Sequence, residues 1–454
     1  MTLFDVALGP GATPSWPVRV TGLAVDDRAA YLLRPVVGGT PELAIIDKLS
    51  AAAVPSRLSI DDRPTEISVL PGPGRSLLAL LSSGRLHIHD PVHGRITTIA
   101  FSAEARGLAV DTERRLFYVG LADEIAVLDP DAGRRLRGIS VPGRPTHLIC
   151  AENGTLAVLL AGERDHAVAI VEPNTPQVEV IGLPDGCQPQ TLGYDHSSGL
   201  IFLAVDATAF EPAGIAVIDR DSGRRIGDVI ETSQPPATLT LLRYGPRTHL
   251  FAGVPGAGVE VVDVALLAVV GRLSASWVGT SAVADQPAGE LYIADINGGA
   301  RRIVPLIGGG PIARRLAEVS SPDQFTPPLS GPRITPDGST EMQKFDIGTA
   351  VASTDAGAVL VDPMHAELWL SAHGPIPGPS SAADQLGNPV GDTISAADHQ
   401  VTYFERGFVL TMPLTGGPTT IAVPAMSFEA NFQIDGNAGQ ISGDELEFLL
   451  SREP

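Results

Sequence analysis

The sequence contains the segment Val127-Leu128-Asp129-Pro130-Asp131-Ala132-Gly133-Arg134 and repeats it almost unchanged as Val217-Ile218-Asp219-Arg220-Asp221-Ser222-Gly223-Arg224. In both segments two apolar residues lead into an acid, and a glycine follows that acid by four positions. An acid can open a turn by accepting backbone N–H bonds, and glycine suits the positive-φ position that closes it. We therefore predict that each segment forms the turn of a β-hairpin.

Acids that end an apolar run recur along the chain at a regular interval. They are Asp47, Asp90, Asp129, Glu172, Asp219 and Asp263, with spacings of 43, 39, 43, 47 and 44 residues. A second series of short apolar runs keeps the same period and passes through Val25, Val69, Val110, Ile149, Tyr194, Leu242 and Val283. One period holds four strands, which is the content of one propeller blade. We predict an all-β chain: a seven-bladed β-propeller of four-stranded antiparallel blades, with a small C-terminal β-rich appendage.

The extent of the repeat predicts the domain boundaries. Residues 1–21 are expected to close the ring, through the extended run Trp16-Pro17-Val18-Arg19-Val20, and residues 22–321 to form the propeller. A Pro-rich linker is expected over residues 322–340, because proline stiffens such a connection. Residues 341–415 are expected to form a separate module, and residues 416–454 a β-hairpin tail.

Part of the repeat resembles a known bacterial family. The runs Phe117-Tyr118-Val119-Gly120, Ile125-Ala126-Val127-Leu128-Asp129 and Arg137 to Pro145 resemble the YVTN-type propeller repeat, and the resemblance covers most of residues 22–321. The last repeat, Leu291-Tyr292-Ile293-Ala294-Asp295-Ile296-Asn297, is similar to NHL and gluconolactonase-like propellers. The YVTN resemblance implies a propeller fold, in a family whose members mostly have binding or unknown roles.

A second resemblance lies in the C-terminal third. The runs His373-Gly374-Pro375-Ile376, Leu386 to Asp392, and Tyr403 to Val409 together resemble one LGFP-type repeat. That family occurs in exported bacterial proteins, so the resemblance implies attachment to the cell envelope or its glycans. A competing interpretation makes Gly357–Ala372 half of an eighth blade.

The tail supports two interpretations. Asp435 to Leu446 resembles an EF-hand loop that lacks one residue, in which Asp435, Asn437 and Glu445 would bind Ca²⁺. The alternative is a β-hairpin, because Phe428, Ala430, Phe432 and Ile434 alternate into a turn and Leu446, Phe448 and Leu450 alternate out of it. No cofactor other than this Ca²⁺ is expected.

Charge and composition exclude several classes of protein. The formal net charge of -21 and a pI near 4.8 argue against a nucleic-acid partner, because a polyanion gains no counterion release on such a surface. Cys150 and Cys187 are expected to stay unbridged, since they lie at opposite ends of neighbouring blades. No apolar run reaches transmembrane length. The first residues have no signal-peptide pattern, which predicts a cytoplasmic protein if the chain is full-length, and an extracellular or envelope protein if a leader has been removed.

Candidate site residues lie where the inner strands begin, at the mouth of a propeller's channel. They are Glu66, Arg106, His147, Gln190, Thr238, Trp277 and Ser281. Gluconolactonase-like enzymes hold a divalent metal there with Glu, Asn and Asp, and this sequence supplies Glu66 without clear Asn and Asp partners. Glu66 and His147 are the candidate catalytic residues. His87 and His89 share one face of a strand and His93 lies in the Gly turn that follows, and this segment is predicted to be a solvated outer strand rather than a metal site.

The favoured function is therefore a non-catalytic binding or scaffold propeller with a protein or glycan partner and an association with the cell envelope. Tyr403, Phe404 and Arg406 are its further candidate ligand-binding residues. One alternative is a metal-dependent lactonase, or a related small-molecule hydrolase or lyase, in the channel mouth. Another is a structural subunit of a larger assembly.

Overall fold

The structure is a computed structural model of the 454-residue chain. It describes residues 2–8, 20–34, 41–48, 53–58, 60, 62–72, 75–162, 166–172, 175, 177–184, 187, 189–208, 211–244, 247–276, 278–295, 299–306, 312, 315, 328–334, 340–345, 348–353, 357–370, 386, 388–395, 399–414, 417–424, 430–434 and 437–441. The chain divides into unit 1, Met1–Arg243 with Arg247–Ile303, and unit 2, Tyr244–Pro246 with Val304–Pro454.

Unit 1 is a succession of antiparallel sheets, which we number in chain order. Sheet 1 contains β2 (Gly22–Val25), β3 (Ala29–Arg34), β4 (Glu42–Asp47) and β5 (Ala53–Arg57). Sheet 2 contains β6 (Glu66–Leu70), β7 (Leu77–Ser82), β8 (Arg85–Asp90) and β9 (Arg95–Ala100). Sheet 3 contains β10 (Arg106–Asp111), β11 (Leu116–Gly120), β12 (Glu124–Asp129) and β13 (Arg134–Ser140). Sheet 4 contains β14 (Arg144–Cys150), β15 (Leu156–Ala161), β16 (His166–Val171) and β17 (Val178–Gly182).

The remaining sheets of unit 1 follow the same order. Sheet 5 contains β18 (Leu192–Asp195), β19 (Leu200–Val205), β20 (Gly214–Asp219), β21 (Arg224–Arg225) and β22 (Ile230–Glu231). Sheet 6 contains β23 (Thr238–Tyr244), β24 (Arg247–Val254), β25 (Gly258–Asp263) and β26 (Ala268–Ser274). Sheet 7 contains β27 (Val278–Asp285), β28 (Glu290–Asp295), β29 (Ala300–Leu306) and β1 (Thr2–Leu8).

The last sheet takes its outermost strand from the other end of the chain. The strand order in sheet 7 is β1-β29-β28-β27, so Thr2–Leu8 pairs with β29. The expected pairing segment was Trp16–Val20, but the strand that pairs is β1. Residues 16–19 lie outside the described residues. Val20 is buried but belongs to no strand. An N-terminal strand therefore covers the edge that sheet 7 would otherwise expose.

The predicted hairpin turns are confirmed where the structure describes them. The Asp129 carboxylate accepts the backbone N–H of Ala132 at 2.9 Å, and the Asp219 carboxylate accepts that of Ser222 at 2.8 Å. The glycines that close the turns have positive φ: +64° at Gly94, +62° at Gly133 and +64° at Gly223. Residues with a side chain reach this region of φ/ψ space only at a cost, which explains the glycine in the repeat.

Buried apolar clusters join each sheet to a neighbour. Sheets 1 and 2 share a cluster that includes Leu33 and Leu80, and sheets 2 and 3 share one that includes Leu81 and Phe117. Equivalent clusters join sheets 3 and 4, 4 and 5, and 5 and 6. Tyr292 of sheet 7 packs with the core of sheet 1. The β-propeller fold is confirmed; seven blades stays a prediction, which the seven described sheets of unit 1 support.

Unit 2 contains two sheets and one described helix. The first sheet has β30 (Arg333–Ile334), β31 (Thr340–Phe345), β32 (Gly348–Ser353) and β33 (Gly357–Val361). Helix α1 (Pro363–Leu370) follows. The second sheet has β34 (Ile394–Ser395), β35 (Gln400–Phe404), β36 (Gly407–Leu414), β37 (Gly417–Pro424), β38 (Ala430–Ile434) and β39 (Asn437–Ile441). A core that includes Trp369, Phe404 and Val409 holds α1 against this sheet.

Helix α1 contradicts the second of the two strands that the eighth-blade interpretation requires. That interpretation required a strand at Glu367–Leu370, where the structure has a helix. Asp362 caps the helix by accepting the backbone N–H of Met364 at 2.9 Å, and Pro363 takes the first helical position. In the tail, β38 and β39 form a hairpin in which Ile434 pairs with Asn437. Within the described part of the chain, no helix has the length and apolar content needed to cross a membrane.

Candidate functional site

The candidate residues of unit 1 lie at or near the beginnings of the first strands of the sheets. Those strands, which include β6, β10 and β14, contact their counterparts in neighbouring sheets. Glu66 begins β6, Arg106 begins β10 and Thr238 begins β23. The structure places Glu66 against sheet 3, while the lining of one channel mouth by these residues stays a prediction.

The carboxylate of Glu66 forms a hydrogen bond within the protein. One of its carboxylate oxygens accepts the backbone N–H of Gly107 at 2.9 Å, in the neighbouring sheet. Burial raises the pKa of this carboxyl, and the N–H bonds from Gly107 and Leu108 lower it by a smaller amount. The carboxyl group therefore fastens sheet 2 to sheet 3.

The backbone conformation at Gly107 explains how its N–H reaches Glu66. Strand β10 bulges between Arg106 and Leu108, and Gly107 lies in the bulge with φ at +75°. An added Cβ would lie 2.5 Å from Cδ1 of Leu148 in sheet 4. A bulge turns backbone donors out of the ladder, and here at least one of them reaches Glu66.

His147 is neutral near pH 7. Burial lowers its pKa to about 4, because the charged imidazolium would lose hydration. Its Nε2 atom lies 3.4 Å from the hydroxyl of Thr191 in the next sheet, a long contact. A base with such a low pKa is a poor proton acceptor at neutral pH.

Arg106 pairs with a carboxylate of the segment that leads into its own strand. Its Nη2 atom lies 2.8 Å from Oε1 of Glu104, and Glu104 also contacts Arg144 of sheet 4. These two guanidinium groups lower the pKa of the Glu104 carboxyl. Arg106 itself is exposed, so its charge remains accessible from solvent.

The other predicted mouth residues differ in burial and in their position along the strands. Thr238 is buried, and its hydroxyl faces Gly253, where an added Cβ would lie 2.4 Å away. Ser281 lies within β27 and is half-buried, and Gln190 is exposed in a bend before β18. Trp277 lies outside the described residues. The described part of the mouth therefore presents few groups that a ligand could use.

The prediction that the histidines of β8 lie on a solvated outer strand is wrong. His87 and His89 are buried, and β8 is not the outer strand of sheet 2, because β9 lies beyond it. Nε2 of His87 lies 3.0 Å from Oδ2 of Asp62, and Nδ1 lies 2.9 Å from the hydroxyl of Thr98. His93 is exposed and pairs with Asp90 at 2.8 Å.

Sequence reasoning missed a set of acids at the far ends of the first strands. Asp26, Asp111, Asp195 and Asp285 are all buried there. Arg243 of sheet 6 donates to Asp195 of sheet 5 at 2.9 Å and to Glu152, beyond β14, at 3.3 Å. The repeat of an acid at the end of a short apolar run was the signal that could have found these contacts.

The β35–β36 hairpin of unit 2 is the second candidate site. Tyr403 is 49% exposed and pairs across the hairpin with Phe408, with 6.3 Å between ring centroids. Arg406 is also exposed, and its backbone N–H donates to the carbonyl of Leu386 at 2.8 Å.

Phe404 corrects one part of the predicted ligand set. It is buried and packs on Trp369, with 5.9 Å between the ring centroids, so it cannot touch a ligand. Alternation along β35 explains this, because Tyr403 and Phe404 point to opposite faces. The second accessible aromatic ring is Phe408.

The metal-site residues of the tail are only partly described. Asn437 begins β39, while Asp435 and Glu445 lie outside the described residues. Among the residues that the structure places, no group of three or more His, Cys, Asp or Glu side chains could hold a metal ion. Cys150 and Cys187 are both free thiols.

Comparison with known proteins supports the fold. No family profile matches the chain, and no curated protein matches it in sequence. Among solved structures it is similar to a streptogramin B lyase, with a TM-score of 0.51 and 11% sequence identity over 66% of this chain and 97% of the lyase chain. None of these comparisons supports a relation to the YVTN, NHL or LGFP families in particular. What this similarity shows is that the chain has the β-propeller fold.

Proposed function

We propose that the chain is a non-catalytic binding protein, and that the Tyr403–Phe408 pair on the β35–β36 hairpin binds a glycan chain. The observation that carries this proposal is the exposure of the Tyr403 ring beside a second aromatic ring. The C–H faces of a sugar pack well on such rings, and the tyrosine hydroxyl can hydrogen-bond to the sugar hydroxyls. Glu405 and Arg406, both exposed, add polar groups at the same turn.

The hairpin is rigidly held, which favours binding. The backbone N–H of Glu405 donates to the carbonyl of Asn388 at 3.0 Å, and that of Arg406 donates to Leu386. The backbone N–H of Val390 donates to the carbonyl of Tyr403 at 3.0 Å. A ligand that meets a preformed surface loses less free energy to ordering than one that must fix a loop.

The contacts in unit 1 support the non-catalytic part of the proposal. Glu66 is engaged by the backbone of Gly107, and His147 has a pKa too low for a good base at neutral pH. A lyase or lactonase mechanism in the channel mouth would need both groups to be available to a substrate. Their roles in joining neighbouring sheets account for both residues without catalysis.

Retention on immobilised cell-wall glycan tests the binding proposal. Tyr403→Ala should weaken retention about tenfold or more, equivalent to about 1.4 kcal/mol. Leu136→Ala is the matched control, since Leu136 is also exposed and apolar but lies in unit 1. Equal retention of wild type and Tyr403→Ala would contradict the proposal.

A separate assay tests the absence of catalysis. Purified protein is offered streptogramin B and simple lactones, with and without a metal chelator. We expect no turnover in either condition. Turnover that disappears on chelation and in Glu66→Gln would instead establish the enzyme alternative.

A further inference from the structure

Sheets 1 and 7 meet at what we call the seam, and Lys48 extends across it. Lys48 follows β4 of sheet 1, and its Nζ atom donates to the carbonyl oxygen of Asp26 at 2.8 Å. The same Nζ atom contacts the carboxylate of Asp285, at the end of β27 in sheet 7. The Lys48 side chain is 10% exposed and the Asp285 side chain 7%. The amine and the carboxyl are therefore held together with little water around them.

A second carboxyl group lies beside this pair. Glu290 begins β28 and is directly opposite Asp285 in the β27–β28 ladder, a position that brings cross-strand side chains together. Glu290 is buried, and its Oε2 atom accepts the hydroxyl of Tyr292 at 3.0 Å. Burial raises the pKa of the Glu290 carboxyl, while Arg302 and Lys48 lower it by a smaller amount. Glu290 is therefore a carboxyl group that can exchange a proton next to the Lys48–Asp285 pair.

An aromatic ring lies against the amine. The Nζ atom of Lys48 lies 5.3 Å from the centroid of the Tyr292 ring, and Tyr292 is fully buried. The amine and the carboxyl group are therefore in contact in a site that bulk water hardly reaches. Holding two reacting groups in contact also provides a large effective concentration, about 10⁵–10⁸ M in well-oriented cases.

We propose that Lys48 and Asp285 form an intramolecular isopeptide bond, which joins sheets 1 and 7 covalently. A proton first passes from Nζ of Lys48 to the Asp285 carboxylate within the pair, and the amine then attacks Cγ of Asp285, so that an Nζ–Cγ bond forms. Glu290 takes a proton from Nζ and returns it to the departing hydroxyl. The Cγ–O bond breaks and one water molecule leaves, so the step balances without an oxidant or a co-reactant.

The bond would join residues that are far apart in the sequence. Lys48 and Asp285 are separated by 237 residues, and a buried apolar cluster packs sheet 7 against sheet 1 beside them. A covalent link between such distant residues restricts the unfolded chain strongly.

Intact mass under denaturing conditions tests the proposal on the purified full chain. Wild type should weigh less than its sequence mass by one water molecule. Proteolysis should give one branched peptide that joins the Lys48 segment to the Asp285 segment. Lys48→Arg keeps the positive charge but cannot form the amide, so it should have its full calculated mass.

Glu290→Gln tests the role of the proton carrier. Loss of a general acid–base group typically slows a step about 100-fold or more, so freshly purified Glu290→Gln should be mostly unlinked and should link on incubation. Two results would overturn the proposal. One is wild type at its full mass, with Lys48 open to an amine reagent after denaturation. The other is a water loss without the branched peptide.

Discussion

Substitution of Gly107 by alanine is expected to destabilise unit 1 through two separable effects. Gly107 has φ at +75°, a conformation that costs a residue with a side chain about 1–2 kcal/mol. The new methyl group would also lie 2.5 Å from Cδ1 of Leu148, and such overpacking costs about 1–3 kcal/mol. The sum predicts a loss of about 2–5 kcal/mol in the free energy of unfolding.

Two other glycines separate these effects. Gly94 has φ at +64° with no atom within 4 Å of its added Cβ, so Gly94→Ala should cost only the conformational part, about 1–2 kcal/mol. Gly84 has neither a positive φ nor a neighbour within 4 Å, and Gly84→Ala should change stability by about 0.5 kcal/mol at most.

Urea unfolding followed by circular dichroism measures all three variants against wild type, with midpoints compared at a common slope. The reasoning requires that Gly107→Ala lose clearly more than Gly94→Ala. Equal losses would refute it, because they would show that the bulge beside Glu66 accommodates the methyl group without cost.

Three further predictions concern single side chains. The pKa of His147 falls from 6.5 to about 4 on folding, so between these pH values the unfolded chain binds one more proton than the folded chain. The contribution of neutral His147 to the free energy of unfolding should be fully present above pH 6.5 and fall by about 1.4 kcal/mol per pH unit toward pH 4. Thermal melts over a pH series should show a shallower fall in His147→Asn than in wild type. Arg243→Met should cost about 1.5–3 kcal/mol in urea unfolding, because buried Asp195 loses its charged donor; an unchanged midpoint would show that the contact contributes nothing. Asp129→Ala should cost about 0.5–1.5 kcal/mol by the same measurement, since the backbone N–H of Ala132 loses its acceptor, and a gain in stability would contradict the turn mechanism.

The repeat was predictable because it depends on local chemistry. Asp129 with Gly133, and Asp219 with Gly223, form the hydrogen bonds and positive-φ positions that the sequence indicates. Helix α1 was also within reach, since Asp362 followed by Pro363 is a helix-start signal that the alternating apolar residues obscured.

The site was harder to predict because its contacts join distant residues. Nothing near Glu66 in the sequence shows that Gly107 will occupy its carboxylate. Buried His87 contacts Asp62 and Thr98, and Lys48 contacts Asp285, which lies 237 residues later in the sequence. Phe404 was expected to be exposed, but α1 packs on its face of β35 and buries it. The sequence of β35 alone does not show which of its two faces α1 covers.

The pairing of β1 with β29 makes the completion of the propeller depend on the timing of protein synthesis. β1 ends at Leu8 and its partner begins at Ala300, so the ribosome adds about 290 residues between them. At about 5–20 residues per second, the first strand waits on the order of 15–60 s for its place in the last sheet. During that time its backbone groups can pair with another nascent chain. We therefore expect the yield of folded protein to depend on chaperones that shield an extended N-terminal segment, and to fall when many ribosomes translate one message closely together.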